Sequence, residues 1–237
     1  MEYKKLLTFS FDDGVLQDER VIQILNKYGL KATFNLNSRL LGTEGELIIN
    51  GKRINHTKIP AERVKEIYSG HEVAAHTLTH PLLTQLSEDE VIRQVEGDRL
   101  ALSEIVGYEV RGFAYPGGGV NCDTRLEKIL REKTNVEYAR TTIPTFKFDL
   151  QEDNRFLFNP TCALVKDKHD ILGLFDDLIS FDVGGIELLY IWGHTYELDI
   201  NDDWEYFESI CRFISGREDV YYCTNIEAFD YIKSKNI

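Results

Sequence analysis

Two acidic residues and two histidines lie at spacings that suit metal-assisted hydrolysis. Asp12 and Asp13 follow the apolar run KLLTFSF, and His76 and His80 stand four residues apart in HTLTHP. Two histidines and one carboxylate can hold a divalent metal ion and leave positions open for water and substrate. The second carboxylate is then free to act as a general base. This chemistry needs no serine or cysteine nucleophile.

The same residues are also compatible with simpler structural roles. Adjacent carboxylates at the end of a strand could cap the helix that follows. The H-x-x-x-H spacing is common by chance and would also suit two hydrogen-bonded histidines near a turn. Because Pro81 disfavours helical geometry at His80, we place His76 at a strand end and His80 in the following loop.

The elements that must position these residues alternate between short β-rich runs and amphipathic helices. The predicted strands are 5–11, 31–36, 71–76, 110–115, 138–142, 186–192 and 220–224. The predicted helices are 17–28, 60–69, 87–106, 123–134, 170–180, 202–216 and a last helix from about 224. This alternation predicts an α/β fold with a parallel sheet. Since no linker or repeat interrupts it, we expect residues 1–237 to form one domain.

Polar residues follow four of the predicted strands. They are Asp12 and Asp13, His76, the segment 115–117 and His194. The carboxyl ends of parallel strands meet at one edge of the sheet, where α/β proteins place their active sites. The sequence therefore predicts that these distant residues converge on one site.

Three segments carry a family resemblance. They are SFDDG at 10–14, GHEVAAHTLTHP at 70–81 and FAYPGG at 113–118, with YCTN at 222–225. In type and order they resemble the motifs of the polysaccharide deacetylase family, also called the NodB-homology domain or carbohydrate esterase family four. The resemblance implies a distorted (β/α) barrel with about seven parallel strands. It also implies one divalent metal ion, usually zinc, and hydrolysis of N-acetyl or O-acetyl groups on sugars.

The resemblance assigns a role to each matching residue. It implies that Asp13, His76 and His80 are the metal ligands and that Asp12 is the general base. His194 matches the late histidine of the family, which acts as general acid. Without the resemblance, a lone histidine at this position would be assigned to the core.

The third motif departs from the family pattern Phe-Arg-Pro-Pro-Tyr-Gly. Aligned on Pro116, Ala114 replaces the arginine that braces the base, and Gly117 replaces the tyrosine. The backbone N–H of Gly117 can still stabilise the oxyanion. We expect Arg140 to supply the missing guanidinium, with Arg111 as the next candidate. A surface ion pair is the simpler role for Arg140.

The fourth motif of the family, an Asp followed by Asp-Trp, is not recognisable in this chain. In the family a carboxylate orients the late histidine. Three acidic residues are candidates for orienting His194, namely Asp149, Glu197 and Asp199. The sequence leaves the choice open.

Aromatic residues and one further segment are expected to shape the groove. Phe11, Tyr115 and Trp192 could form an apolar wall against the sugar faces or the acetyl methyl group. Residues 41–58, here called the hairpin segment, contain a predicted hairpin that turns at Asn50-Gly51 and resembles an insertion. It would either narrow the groove or form an exposed loop, and its polar side chains include Lys52, Arg53 and His56.

Composition limits the partners and the compartment. Forty acidic against 27 basic residues give a net charge of −13, which repels nucleic acid and anionic lipid. The four cysteines form no C-x-x-C pair, and no secretory signal or membrane span is evident. We therefore expect a cytoplasmic protein, no nucleic acid or membrane partner, and a soluble acetylated sugar or sugar conjugate as substrate. The sequence indicates no oligomeric state.

Two other functions are compatible with the motifs. Some relatives of the family hydrolyse another amide, such as a cyclic ureide or imide, but these often lack the metal ligands. A non-catalytic carbohydrate-binding module would have no need for Asp12 and His194. Metal analysis separates the first alternative from a deacetylase, and an assay on an acetylated oligosaccharide separates the second.

Overall fold

A curled sheet of parallel strands forms the centre of this computed structural model, which describes residues 2–164, 169–180 and 184–235. The strands are β1 (Lys5–Asp12), β2 (Ala32–Leu36), β3 (Glu46–Ile49), β4 (Lys52–Asn55), β5 (Glu72–Ala75), β6 (Gly112–Ala114), β7 (Tyr138–Arg140), β8 (Cys162–Ala163), β9 (Glu187–His194) and β10 (Val220–Tyr222). The helices are α1 (Asp18–Lys27), α2 (Ala61–Ile67), α3 (Glu88–Val106), α4 (Thr124–Lys133), α5 (Ile171–Ser180), α6 (Glu197–Ile200), α7 (Trp204–Ile214) and α8 (Asn225–Ser234). Short 3-10 helices lie at Leu83–Gln85 and Glu152–Leu157.

The strand order confirms the predicted distorted barrel of about seven parallel strands. Within the described residues, the sheet runs β7-β6-β5-β2-β1-β9-β8, and β10 pairs with the first residues of β1. Thr141 N donates to Phe158 O at 2.9 Å, and Leu164 N donates to Trp192 O at 2.7 Å. Residues 158–164 therefore contact β7 on one side and β9 on the other, which connects the two ends of the curled sheet.

Local sequence signals set several element boundaries. The predicted hairpin is present, since β3 and β4 pair antiparallel around Asn50 and Gly51, which both have positive φ. At the start of α8, Thr224 and Glu227 form the reciprocal bonds of a capping box. The sequence analysis missed β8 and α6, because elements of two and four residues are too short to show a hydrophobic period.

The two faces of β1 differ in chemistry. Side chains alternate along a strand, so Thr8, Ser10 and Asp12 share one face, and all three are buried. Phe11 lies on the opposite face, wholly buried, with its ring centre 5.6 Å from that of Phe34. The expectation that Phe11 lines the groove is wrong, because its face packs into the core.

The helices of the described residues cover the sheet and do not resemble membrane spans. Buried residues line one face of α1 and of α7, and Phe207 of α7 contacts the Phe9 and Phe11 rings. No helix in the described ranges combines the length and apolar character needed to cross a membrane.

Candidate active site

Asp12 ends β1 as a buried carboxylate with several hydrogen-bond donors. Its Oδ1 accepts a hydrogen bond from Asn35 Nδ2 at 2.8 Å, and Arg140 Nη2 contacts both carboxylate oxygens. Burial raises the pKa of Asp12, but the charge and hydrogen bond of Arg140 and the charge of His194 outweigh it and hold that pKa below its usual range. Asp12 is therefore ionised at neutral pH and able to accept a proton.

Arg140 reaches Asp12 because the sheet curls. It lies on β7 directly opposite Ala114 of β6, the position where the family motif has its arginine. The order of strands puts β7 four places from β1, or about 19 Å in a flat sheet. Arg140 is fully buried, with its Cζ 4.7 Å from the centre of the Trp192 ring. Arg111, the other candidate, instead pairs with two carboxylates near the surface.

Asp13 has a separate set of partners. Its Oδ2 accepts a hydrogen bond from His56 Nε2 at 3.2 Å, and its Oδ1 lies 3.4 Å from Lys58 Nζ and 3.8 Å from His80 Nε2. Burial raises the pKa of Asp13, but the His56 hydrogen bond and the His194 and Lys58 charges hold it well below its usual range. The adjacent carboxylates therefore do not compete for the same donors.

Asp13, His76 and His80 form a donor set that fits a divalent metal ion. One ligand atom from each residue lies within 4.8 Å of the other two. His76 Nδ1 lies 2.8 Å from the carbonyl oxygen of Ala114, which fixes the ring as an Nδ1–H donor and leaves Nε2 with a lone pair. Burial lowers the pKa of His76 to about 4, so its imidazole is neutral. Two imidazoles and one carboxylate are the ligand types that zinc prefers.

The backbone around these ligands adopts unusual conformations. Asp13, Thr77 and His80 have φ values of +84°, +72° and +58°, in the left-handed region that non-glycine residues seldom occupy. Such residues cost about 1–3 kcal/mol each and persist only where the surroundings fix them. Asn37 Nδ2 donates to the carbonyl oxygens of His76 and Thr77 and holds this loop. Backbone strain is thus concentrated at the donor set.

His194 lies at the end of β9, directly beside Asp12 in the pairing of β9 with β1. Its Nε2 lies 4.0 Å from Asp12 Oδ2, and its Nδ1 lies 3.3 Å from Glu197 Oε1. Burial lowers the pKa of His194, but Glu197 and the two aspartates outweigh it and raise that pKa to about 9. His194 is therefore protonated at neutral pH and can donate a proton.

Only one of the three candidate carboxylates reaches His194. Glu197 contacts it, whereas Asp199 accepts hydrogen bonds from Gln17 and Trp204. Asp149 pairs with the first residue of β9, seven residues from His194 and therefore about 23 Å away along the strand. The geometry selects Glu197.

A cavity of about 430 Å³ opens beside these groups. Asp12, Asp13, His76, His80 and His194 all line it, which brings the predicted chemical groups together. Gly117, with φ +83°, and Trp192 line it as well, as the sequence analysis expects.

Tyr115 does not belong to the cavity. It is fully buried, and its hydroxyl donates to the carbonyl oxygen of Phe156 at 2.9 Å. The expectation that Tyr115 binds substrate is therefore wrong. Its place after a predicted strand led us to expect it in the groove. In the structure its side chain follows the short β6 and lies in the core beside Phe113.

The hairpin segment approaches the site through its last residues. Arg53 pairs with Glu46 inside the hairpin, and Lys52 donates to backbone oxygens of α6. Only His56 of the three predicted polar residues contacts the donor set. The hairpin segment therefore contacts the donor set through His56, while the other two polar side chains bind within the hairpin and to α6.

Besides Asn37, three supporting residues were missed by the sequence analysis. Asn35 binds Asp12, Lys58 lies against Asp13, and Asp98 Oδ2 accepts a hydrogen bond from His76 N at 2.9 Å. Burial raises the pKa of Asp98 to about 7. Asn35 could have been predicted from the sequence, since it is a polar residue at the end of the otherwise apolar strand KATFNL. No sequence pattern indicates Lys58 or Asp98, because their contacts depend on long-range packing.

Comparison with known proteins identifies the family. A protein-family model described as polysaccharide deacetylase matches residues 2–134, which is more than half of the chain. The chain therefore belongs to this family. It is 28% identical over 126 residues to the peptidoglycan-N-acetylmuramic acid deacetylase PdaC of Bacillus subtilis. That alignment covers 52% of this chain and 24% of PdaC, so the chain spans about a quarter of that relative's length.

Solved structures share the fold over nearly the whole chain. A family 4 carbohydrate esterase from Streptomyces lividans, in complex with acetate, aligns with a TM-score of 0.56 at 15% identity and covers 93% of this chain and 92% of its own. A family 4 acetyl xylan esterase from Clostridium thermocellum, in complex with a cobalt ion, aligns with a TM-score of 0.57 at 17% identity and covers 98% and 93%. At these identities the likeness shows the fold alone.

We predict that Arg140→Lys lowers kcat at least tenfold and leaves the Kd for zinc unchanged. Lysine presents a point charge in place of a planar guanidinium, so it holds both oxygens of Asp12 poorly. Steady-state kinetics and zinc titration measure the two effects. Arg111→Lys is the matched control, because Arg111 pairs at the surface. An unchanged kcat in Arg140→Lys would contradict the proposed role.

We predict that Glu197→Gln moves the alkaline limb of the kcat–pH profile to lower pH. The Glu197 carboxylate raises the pKa of His194, so its neutralisation lowers that pKa, and the proton donor is lost at a lower pH. The profile is measured between pH 6 and pH 10 (about the range in which a histidine near 9 titrates). Asp199→Asn serves as the control and should not move this limb. An equal shift in both variants would count against Glu197.

Proposed function

We propose that this chain is a metal-dependent hydrolase that removes N-acetyl, or O-acetyl, groups from a sugar or oligosaccharide. The observation that carries the proposal is the division of partners between two adjacent carboxylates. Asp12 is bound by Arg140 and Asn35, whereas Asp13 shares a donor set with His76 and His80. Both carboxylates line one cavity, so a proton acceptor and a metal site face the same substrate.

Asp13, His76 and His80 would hold the metal ion, and their ligand types favour zinc. When bound, the ion supplies a Lewis acid that polarises the acyl oxygen and makes water more acidic. His76 is oriented for this by Ala114 O and Asp98, which fix its ring and its backbone.

Asp12 acts as the general base. Its Oδ2 lies 3.9 Å from His76 Nε2 and 4.0 Å from His194 Nε2, and all three residues line the cavity. The low pKa keeps it ionised, and Arg140 keeps the carboxylate aimed into the cavity. It takes the proton of the attacking water.

His194 and Gly117, which also line the cavity, complete the reaction. His194 is protonated at neutral pH and gives its Nε2 proton to the departing amine, while Glu197 contacts Nδ1. The backbone N–H of Gly117 stabilises the negative charge that develops on the acyl oxygen.

An acetylated amino sugar is the substrate class that we propose. PdaC, the relative with which this chain shares 28% identity, is named as a deacetylase of peptidoglycan N-acetylmuramic acid. The cavity of about 430 Å³ falls within the range of small-molecule sites.

A cytoplasmic location stays a prediction, supported by four free cysteines.

The test is acetate release from an N-acetylated chito-oligosaccharide by the zinc-loaded chain. We expect Asp12→Asn to retain zinc and to lower kcat by roughly 10²–10⁴-fold, because the amide cannot accept the proton. His76→Ala with His80→Ala should lose both zinc and activity while the fold is retained.

Asp89→Asn, at an exposed site on α3, is the control for charge alone. Full activity of Asp12→Asn would assign Asp12 a structural role. Unchanged zinc content in the double histidine variant would remove the metal site from the proposal.

A further inference from the structure

The end of the hairpin segment is fixed against the turn that follows β1. Two backbone hydrogen bonds of 3.0 and 2.8 Å and one antiparallel bridge hold residues 57–59 beside residues 14–16. Side chains two residues apart in an extended segment point to the same side. The register therefore directs His56 and Lys58 together toward Asp13.

Both side chains contact the carboxylate of Asp13, each at a different oxygen. His56 Nε2 lies 3.2 Å from Oδ2, and since a carboxylate carries no hydrogen, the imidazole is the donor. Lys58 Nζ lies 3.4 Å from Oδ1, and its side chain is only 6% exposed. The His56 ring packs edge-on against Tyr196 at 5.0 Å between ring centres, which limits its rotation.

We infer that His56 and Lys58 are positioning residues that set how tightly the Asp13 site binds its metal ion. The inference rests on the proposed function, since it takes Asp13 to be a metal ligand. His56 itself is not part of the group of ligand atoms that lie within 4.8 Å of one another in the described residues. Its role is to orient Asp13 from behind.

The two residues are expected to act in opposite directions. A hydrogen bond to one oxygen of a ligating carboxylate fixes its orientation, and loss of such a partner typically weakens metal binding 10–100-fold. The Lys58 ammonium has the same sign of charge as the metal ion and lies beside the same carboxylate. Its repulsion weakens metal binding, so its removal strengthens binding.

The experiment measures the Kd for zinc by calorimetry while zinc is titrated into the metal-free full chain at pH 7.5. His56→Phe keeps an aromatic ring against Tyr196 but removes the donor, and should raise the Kd about 10–100-fold. His56→Gln keeps an N–H donor near the Nε2 position and should bind zinc within threefold of the unchanged chain. Lys58→Met keeps the length of the side chain without its charge and should lower the Kd about tenfold. Thermal unfolding of each metal-free variant reports on the fold.

Each of the following results of the zinc titrations either supports or overturns the inference. A higher Kd for His56→Phe, its rescue in His56→Gln and a lower Kd for Lys58→Met support the inference. An unchanged Kd in His56→Phe and Lys58→Met, or a higher Kd in both together with a lower melting temperature, overturns it and leaves the proposed function standing. If the unchanged chain binds no zinc, the proposed function fails, and the inference fails with it.

Discussion

Two ionised carboxylates stand side by side at the end of β1 in a buried setting, and the rest of the site depends on keeping both. Burying a charge without a partner costs several kcal/mol, and two adjacent carboxylates also repel each other. The structure gives each its own partners. Asp12 is bound by Arg140 and Asn35, and Asp13 lies among His56, Lys58 and His80. In the proposed function, this separation lets Asp12 act as the base while Asp13 holds the metal ion.

The partners come from distant parts of the chain, so the fold itself supplies them. The curl of the sheet brings Arg140 from four strands away, and the hairpin segment returns beside the turn after β1 to deliver His56 and Lys58. At the end of the neighbouring β9, Glu197 contacts His194 and raises its pKa, whereas the pKa of Asp12 is held below its usual range. A pair of groups with pKa values pushed apart by their surroundings is what acid–base catalysis requires.

Sequence analysis predicted the polar residues that meet at the cavity better than those that shape or support it. The contact between Arg140 and Asp12 could be predicted because Ala114 left a buried carboxylate without its usual cation. Tyr115 was misplaced because a strand of three residues gives no period from which to assign its faces. Lys58 was missed because its contact depends on the register between two segments that pair Val15 with Lys58, 43 residues further along the chain, and no local pattern encodes that register.

The most direct test is the anomalous scattering of crystals soaked with zinc. The account predicts one zinc peak, about 2.0–2.2 Å from an oxygen of Asp13 and from one ring nitrogen each of His76 and His80. Asp12 should stay bound to Arg140 and remain outside the coordination sphere. A peak ligated by Asp12, or no peak at Asp13, would contradict the division of roles between the two carboxylates.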